Sequence, residues 1–405
     1  MRENKILKYF DFWLLTILFL SLTIIPFIKL TEGLYIGLED IILPLILYRI
    51  LHSRLYFFDR YIWLFLIFAI YIFFTIAINN RLWSLRDYFE IYKIGKFLLI
   101  VIFARNVLKS NFIKFNLLIK VTFIVLLIFN FAHYFNLFNF NQNVEIYYAT
   151  NEIHLTTFGL DSLGNPAVRR MIGTFGNPND NAILFLFFFV YFLAKSNIFS
   201  FKKAPIFMYL SFLCILLTQS RTGFIACVSV YIFWSFYTRQ NIKTSLINIF
   251  FFITSFFIAF SFSPLSLNYY VNTSPVLVEN NSVLGRLDVW EHLIKMIVQK
   301  PFFGYGPNKD YFYNNNLYPE SEYVLYTWRY GFFGLVLYFG WLLLPLYKTM
   351  SFAKSHSFYI MLVIIIGINA LTNCPLSNPK ILLLFAISIG YYYAEMDESI
   401  KLKHV

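Results

Sequence analysis

The sequence predicts an all-α, polytopic membrane protein with about twelve transmembrane helices and two large external loops. Of the 405 residues, 59% are hydrophobic and only 13% are charged, whereas about a quarter of the residues of a soluble domain are charged. Apolar runs of about 15–24 residues recur along the whole chain, close to the length that crosses a bilayer. Residues 1–405 are therefore expected to form a single integral membrane domain.

The apolar runs give the position of each predicted span. In chain order, spans are expected near residues 12–30, 34–51, 61–78, 88–104, 112–135, 182–198, 205–219, 222–238, 245–263, 325–347, 357–375 and 379–394. The first run follows a basic N-terminus, as in a signal peptide, but no small-residue cleavage site follows it, so we expect an uncleaved span. No internal repeat is evident, which argues against a transporter built from two inverted halves.

The net charge of +12 indicates the orientation of the chain in the membrane. Basic residues collect in the short cytoplasmic loops of membrane proteins. If the N-terminus is cytoplasmic, 19 of the 33 lysines and arginines lie in short inner segments. We therefore expect both termini in the cytoplasm, the long loops 136–181 and 264–324 outside, and no nucleic-acid partner. Long loops in a compact protein are usually functional.

The acidic residues, histidines and cysteines do not predict a metal site. The three cysteines lie in or beside apolar runs and lack Cys-x-x-Cys spacing, which argues against disulfides and metal ligation. The outer loops contain neither an Asp-x-Asp pair nor a histidine cluster, so we expect no cofactor. The acidic pairs Glu39/Asp40 and Asp87/Glu90 are expected to form structural ion pairs with basic residues such as Arg81, Arg86 or Lys93.

The polar segment 282–334 is where we expect the chemistry, because irregular polar backbone at membrane depth is tolerated only around a protein-lined or water-filled cavity. Residues 286–300 are predicted to form a helix that Pro301 ends. One face of this helix would carry Leu287, Trp290, Leu293, Ile294 and Ile297. Such an amphipathic helix suits the membrane surface or a cap over the bundle. Trp290 and Tyr305 are suited to stacking on sugar rings or to anchoring at the interface, and both interpretations stay open.

Arginines on the outer face predict an anion site. Arg221 is the only charged residue between positions 206 and 236. A charge inside a span costs about 2.5–3.5 kcal/mol, so it is usually functional, although Arg221 could also snorkel from a span end. The other outer arginines are Arg169, Arg170, Arg286 and Arg329. Because a guanidinium group binds phosphate oxygens in pairs, phosphate is the natural ligand.

Five motifs, in this order, resemble the O-antigen polymerase and ligase superfamily. They lie at residues 170–179, 220–223, 285–290, 301–306 and 331–334. The resemblance covers about residues 170–335, while the first 135 residues share only their membrane spans. It implies a fold like that of C-type glycosyltransferases, acting on the periplasmic face. Such proteins transfer a glycan from a polyprenyl diphosphate to an acceptor hydroxyl without a metal or a nucleotide sugar.

The resemblance also implies roles for individual residues. Arg221 and Arg286 would contact the diphosphate, and Glu320 takes the position of the histidine in the ligase signature, with Ser321 next to it. Glu320 is therefore the candidate general base, unless it only orders the loop by pairing with Arg329. The catalytic candidates are thus Glu320, Arg221 and Arg286. The substrate-binding candidates are Arg169, Arg170, Asn177, Asn179, Ser220, Trp290, Tyr305, Ser321 and Arg329.

The departure from histidine at Glu320 favours a polymerase that joins undecaprenyl-diphosphate-linked repeat units in the bacterial inner membrane. A ligase that passes the glycan to lipid A core or to a protein is one alternative. A lipid-linked oligosaccharide flippase is another, although it should place its charges in a central cavity between related halves. The expected partners are lipid-linked oligosaccharides, membrane lipids, a chain-length regulator and a flippase. O-antigen, capsule and exopolysaccharide products are equally compatible with the sequence.

Overall fold

The computed structural model describes residues 2–31, 34–52, 60–148, 170–196, 204–262, 281–315, 317, 319–347 and 356–403. The first half of these residues forms α1 (Arg2–Thr23), β1 (Ile28–Thr31), β2 (Leu34–Ile36), α2 (Leu38–His52), α3 (Arg60–Ile78), α4 (Leu85–Leu108), α5 (Phe112–Phe135), α6 (Phe140–Tyr148) and α7 (Pro178–Ser196). The second half forms α8 (Ala204–Thr218), α9 (Arg221–Tyr237), α10 (Ile242–Phe262), α11 (Asn281–Gln299), α12 (Lys309–Asn314), α13 (Glu322–Tyr347), α14 (His356–Asn369) and α15 (Pro379–Lys403).

Each of the twelve predicted spans overlaps a helix, although the bounds differ at several ends. Among the described residues, five helices contain segments that are long and apolar enough to cross a membrane by length and composition: Ile6–Thr23, Tyr61–Ile78, Phe112–Phe135, Ile242–Ser261 and Glu322–Tyr347. The helices α2, α8, α9 and α14 have only 14 to 17 residues. The described chain is thus nearly all helical and compatible with a polytopic membrane protein, and the number of twelve spans stays a prediction.

A short β-hairpin interrupts the predicted all-α pattern. The first helix ends at Thr23 rather than near residue 30, and β1 pairs with β2 in antiparallel register, with Ile28 opposite Ile36. Pro26 explains the early end, because a residue before proline avoids the helical conformation and proline itself has no N–H to donate. The first helix therefore ends before the predicted residue 30, and the second begins at Leu38 rather than near residue 34.

The turn between α14 and α15 is also longer than predicted. Helix α14 ends at Asn369, six residues before the predicted end of its span, and a single 3₁₀ turn follows at Pro375–Ser377. Asn378 then caps α15, since its side-chain oxygen accepts a hydrogen bond from the Lys380 backbone N–H at 2.9 Å. The extra polar residues in this turn contribute to the cavity described below.

The helices have a largely apolar interior and an apolar outer surface. Phe97, Trp341 and Phe385 pack together in the core, with the Phe97 and Trp341 ring centroids 4.9 Å apart. Large apolar side chains such as Trp63 and Ile70 are exposed instead. Because soluble monomers seldom expose extensive apolar surface, this pattern is typical of helices that face lipid.

Ion pairs join helix ends that the predicted orientation assigns to the cytoplasm. Arg105 of α4 pairs with Asp397 of α15 at 2.8 Å. Lys195, at the end of α7, pairs with Glu395 at 3.1 Å.

The predicted acidic pairs are also structural: Asp87 pairs with Arg81 at 2.6 Å, Glu90 with Lys93 at 3.4 Å, and both Glu39 and Asp40 with Lys96.

Helix α13 is kinked at Gly331, and the kink holds the loop that follows α11. Gly331 has φ 64°, so the helix breaks there and leaves carbonyl groups without helical partners. The loop fills this gap: the N–H of Tyr305 donates to the Trp328 carbonyl at 3.0 Å, and the N–H of Gly306 donates to the Arg329 carbonyl at 2.8 Å. This junction fixes α11 against α13.

Candidate functional site

A half-open cavity of about 440 Å³ lies where several helix ends meet. It is lined by residues from the stretches 26–27, 147–148, 174–180 and 373–380, together with Arg286 and Glu320. These stretches belong to the two predicted external loops, the turn after α1 and the turn before α15. Of the twelve candidate site residues, the structure brings Asn177, Asn179, Arg286 and Glu320 together here.

Asn177 and Asn179 lie at the start of α7. The Asn177 side-chain oxygen accepts a hydrogen bond from the Asn179 backbone N–H at 2.8 Å, as an N-cap residue does. This cap accounts for the Asn-Pro sequence, because proline is favoured at the first helical position. The same turn presents both asparagine side chains to the cavity.

Arg170 supports the cavity from behind. It is buried, and its guanidinium donates to the Thr218 carbonyl at 2.8 Å, at the C-terminus of α8. It also donates to the Asn179 side chain at 3.3 Å. A cation is favourable at a helix C-terminus, so Arg170 joins the first sequence motif to the end of α8 and contacts Asn179 without lining the cavity itself. Its neighbour Arg169 lies outside the described residues.

Ser220 and Arg221 begin helix α9. Ser220 is buried, and its hydroxyl oxygen accepts a hydrogen bond from the Gly223 N–H at 3.2 Å, so it caps the helix. Arg221 is exposed and does not line the cavity. The next residue, Thr222, makes a hydroxyl–hydroxyl hydrogen bond with Thr372 at 2.6 Å. Since Asn373 lines the cavity, the start of α9 lies beside the cavity wall.

Arg286 and Glu320 form an ion pair in the cavity wall. Arg286 lies near the start of α11, and its Nε donates to the Glu320 carboxylate. Nearby, the Trp290 indole N–H donates to the Pro319 carbonyl and so holds the segment that carries Glu320. Glu320 therefore pairs with Arg286 and not with Arg329, the partner considered for it in the sequence.

The residues after Glu320 fasten it to the turn between α14 and α15. Glu320 itself has φ 41°, a conformation that few side-chain-bearing residues adopt. The Ser321 hydroxyl donates to the Ala370 carbonyl at 3.3 Å, and the Glu322 N–H donates to the same carbonyl at 2.9 Å. These bonds fix the backbone on one side of Glu320 and account for the buried position of Ser321.

Tyr305 and Arg329 lie in the junction between α11 and α13 rather than in the cavity. Tyr305 stacks on Trp328 with ring centroids 4.9 Å apart and donates its hydroxyl to the Met296 carbonyl at 3.0 Å. Arg329 is buried, and its Nη1 lies 3.7 Å from the Glu90 carboxylate. Tyr305 thus holds α11 against α13, whereas Arg329 joins α13 to α4.

Several lining residues were not predicted from the sequence, above all Asp180 and Lys380. Asp180 accepts a hydrogen bond from the Asn378 side chain at 2.9 Å. Burial raises the pKa of the Asp180 carboxyl to about 6, against the lowering effect of that hydrogen bond. Lys380 is buried beside Phe27 and Phe175. The available signal was the polar, proline-containing run 373–380 between two apolar runs, which is typical of a turn.

The cavity combines charged, amide and aromatic groups. Its lining includes two basic side chains, Arg286 and Lys380, and two acidic ones, Glu320 and Asp180. The other lining groups include amide and hydroxyl side chains and the rings of Tyr147 and Tyr148. Such a surface can bind an anionic group beside a carbohydrate, since amides hydrogen-bond to hydroxyls and aromatic rings supply apolar contact area.

Residues 206–339, about a third of the chain, match the family model described as O-antigen ligase. This match is consistent with the O-antigen polymerase and ligase superfamily that the motifs resemble. It contains Arg221, Arg286 and Glu320, and it ends before the turn that carries Lys380. Arg170, Asn177 and Asn179 precede it. A comparison with curated proteins gives no match.

Proposed function

We propose that this chain, a third of which matches the O-antigen ligase family, polymerises lipid-linked oligosaccharide repeat units. The observation that carries the proposal is the Arg286–Glu320 pair in the wall of a polar cavity. It supplies a cation for a departing diphosphate and a carboxylate for the attacking hydroxyl within the matched region. As a member of this family would, the chain is proposed to act as a glycosyltransferase on undecaprenyl-diphosphate-linked substrates at the outer face of the bacterial cytoplasmic membrane.

In the proposed reaction the growing chain is the donor and one new lipid-linked repeat unit is the acceptor. A hydroxyl oxygen on the outermost sugar of the acceptor attacks the anomeric carbon of the donor. The bond between that carbon and the diphosphate oxygen breaks, and undecaprenyl diphosphate leaves with the bonding electrons. Glu320 takes the hydroxyl proton, as a general base within hydrogen-bond reach does.

Arg286 has two successive partners in this scheme. In the structure its guanidinium holds the Glu320 carboxylate. The diphosphate then competes for the same guanidinium. At about 4 Å and an effective dielectric constant near 20, such a pair is worth roughly 4 kcal/mol before desolvation. Binding of the donor would thus draw Arg286 to the leaving group and free Glu320 to accept the proton.

Arg221 is proposed to add a second guanidinium at the cavity rim. The Thr222–Thr372 hydrogen bond supports this position, since it holds the start of α9 beside the lining residue Asn373. Positive groups that are already in place stabilise a leaving group as its charge develops, and so lower the barrier more than they strengthen substrate binding. Asn177, Asn179 and the cavity tyrosines are proposed to contact the sugars.

A ligase is the second candidate function, because the matching family model carries that description. The glutamate at position 320, where the ligase signature has histidine, favours the polymerase. A flippase is less well supported, since the described cavity is formed by helix ends rather than by the middle of two related halves. A chain-length regulator and a flippase remain the protein partners we propose.

Deletion of the gene tests the proposal. A polymerase mutant should export single capped repeats, visible when cell-surface polysaccharide is separated by gel electrophoresis, and plasmid-borne wild type should restore long chains. Long lipid-linked chains that never reach their final acceptor would identify a ligase, and absence of any exported glycan would identify a flippase. The matched control is complementation with Glu291→Gln, which changes an exposed carboxylate on the same helix as Arg286.

A further inference from the structure

Lys380 is a buried cation in the cavity without a contacting carboxylate among the described residues. Its side chain lines the cavity and the residue is only 4% exposed. The ammonium donates to the Ile25 carbonyl at 2.9 Å and to the Thr174 carbonyl at 3.5 Å. By contrast, the buried Lys96 pairs with Asp40 and the buried Arg49 pairs with Asp11.

The groups that contact Lys380 hold its charge but do not neutralise it, and Glu39, the carboxylate that acts on it from further away, already pairs with Lys96. The ammonium lies 5.0 Å from the ring centroid of Phe27 and 5.3 Å from that of Phe175. Aromatic faces and carbonyl dipoles attract a cation. Neither supplies the opposite charge that normally accompanies a buried ion. An anion in the cavity would complete the site.

The position of Lys380 in its helix favours an anion further. Lys380 is the second residue of α15, whose N-terminus carries a partial positive charge. A lysine is unfavourable there unless an anion is bound, and helix N-termini commonly bind phosphate. Arg286 lines the same cavity but is already paired with Glu320. Lys380 is therefore the cavity cation whose charge is available before any rearrangement.

We infer that Lys380 binds a phosphate oxygen of the undecaprenyl diphosphate substrate in this cavity. An ammonium has three N–H donors, and two of them point to the Ile25 and Thr174 carbonyls, which leaves one for the ligand. The inference rests on the proposed function, because that function supplies the diphosphate. The phosphate of a membrane lipid headgroup offers the same chemistry, and the experiment separates the two sources.

The test measures binding of undecaprenyl diphosphate to the purified full-length protein in nanodiscs, by titration in native mass spectrometry. Lys380→Gln keeps N–H donors for the two carbonyls but removes the charge, while Lys380→Met removes both. We expect at least tenfold weaker binding in both variants, with the Gln variant close to wild type in its unfolding temperature. Lys195→Met is the matched control, since Lys195 pairs with Glu395 at the other end of α7, and its affinity should be unchanged.

Three results would overturn the inference. Wild-type affinity in both Lys380 variants would make the residue structural. If Lys380→Met lowers both affinity and unfolding temperature while Lys380→Gln keeps both at the wild-type values, the hydrogen bonds matter and the charge does not. Equal competition by phosphatidylglycerol would assign the site to lipid headgroups. A fourth result separates the two proposals. If binding of undecaprenyl diphosphate depends on the Lys380 charge but deletion of the gene leaves polymer normal, the proposed function is wrong and the anion site stands.

Discussion

Arg286 and Glu320 are the two proposed catalytic residues that touch each other. Their pairing depends on the backbone at Glu320, whose positive φ is maintained by hydrogen bonds on both sides, from Trp290 to Pro319 and from Glu322 to Ala370. Residues held in rarely populated conformations tend to occur at functional sites. The structure therefore supports Glu320 as a positioned group rather than a loop residue that faces solvent by default.

Glu320→Gln should reduce turnover about a hundredfold or more while binding of the lipid-linked substrate is retained. Loss of a general base typically costs that much, and the amide still occupies the space of the carboxylate. The measurement is polymer formation in vitro alongside substrate affinity. Glu291→Gln, which removes the exposed partner of Lys295 on the same helix, should have near-normal turnover. Near-normal polymer from the Glu320 variant would leave leaving-group stabilisation as the main catalytic effect.

The sequence identified the residues of this pair but not all of their surroundings. Motif spacing pointed to Arg286 and Glu320, because both lie in short polar patterns that resemble a known family. Lys380 was missed since its significance depends on the Ile25 and Thr174 carbonyls, which lie far away in the chain. A lysine beside a proline turn gives no sign in the sequence of being buried.

At the level of elements, the motif at residues 301–306 joins two helices. Its backbone bonds to the kinked part of α13, and Tyr71 of α3 donates its hydroxyl to the Tyr330 carbonyl at 2.6 Å. Ion pairs of Asp310, which lies in α12 shortly after this motif, with Arg81 and Arg86 fasten that segment to the start of α4. The glycines of this motif thus serve the geometry of the junction, although the sequence placed them with the chemistry.

Gly304→Ala should destabilise the protein by about 1–3 kcal/mol, the range for a residue forced into an unsuitable backbone conformation. Gly304 has φ +62°, and an added Cβ would lie 2.5 Å from the Trp328 carbonyl oxygen. The expected result is a lower unfolding temperature of the purified protein.

The control for this substitution is Gly95→Ala, within helix α4. A Cβ at Gly95 meets nothing within 4 Å, and alanine is favoured over glycine by up to about 1 kcal/mol inside a helix. Its unfolding temperature should equal or exceed that of the wild type. An unfolding temperature of Gly304→Ala equal to that of this control would contradict the proposed strain at the junction.

The amphipathic helix α11 was predicted in type but not in extent. It begins at Asn281, five residues before the predicted start, and ends at Gln299 before Pro301 as expected. Its apolar face is only partly covered: Leu293 is fully buried, whereas Leu287 and Ile294 are each 50% exposed. Periodicity predicts which side chains share a face, but the partner of that face depends on tertiary packing. The uncovered part suits contact with the membrane surface.

At the scale of the whole molecule, two sets of polar contacts among the described residues bear on the orientation of the chain. The ion pairs of Asp397 and Glu395 lie at helix ends assigned to the cytoplasm, while the cavity gathers segments assigned to the outside. Alternation of hydropathy predicts where helices start and end along the chain. It does not predict which helix ends become neighbours, because that depends on packing between helices distant in sequence.

Cysteine labelling checks the orientation. Gln142→Cys and Asn315→Cys place thiols at exposed positions of the two external loops and should react with a membrane-impermeant maleimide added to the periplasm. Ser110→Cys, exposed in a predicted inner loop, should react only after permeabilisation. The three native cysteines are buried and should give little background. The reverse labelling pattern would move the cavity to the cytoplasmic side.

The hydrogen bond between Lys380 and Ile25 has a consequence for biogenesis. The two residues are 355 positions apart in the chain, and the ribosome makes only about 5–20 residues per second. The stretch that follows α1 is therefore in the membrane for tens of seconds before α15 exists to close the cavity against it. A nascent chain passes most of its synthesis without an assembled anion site, so substrate capture begins only once translation has passed α15.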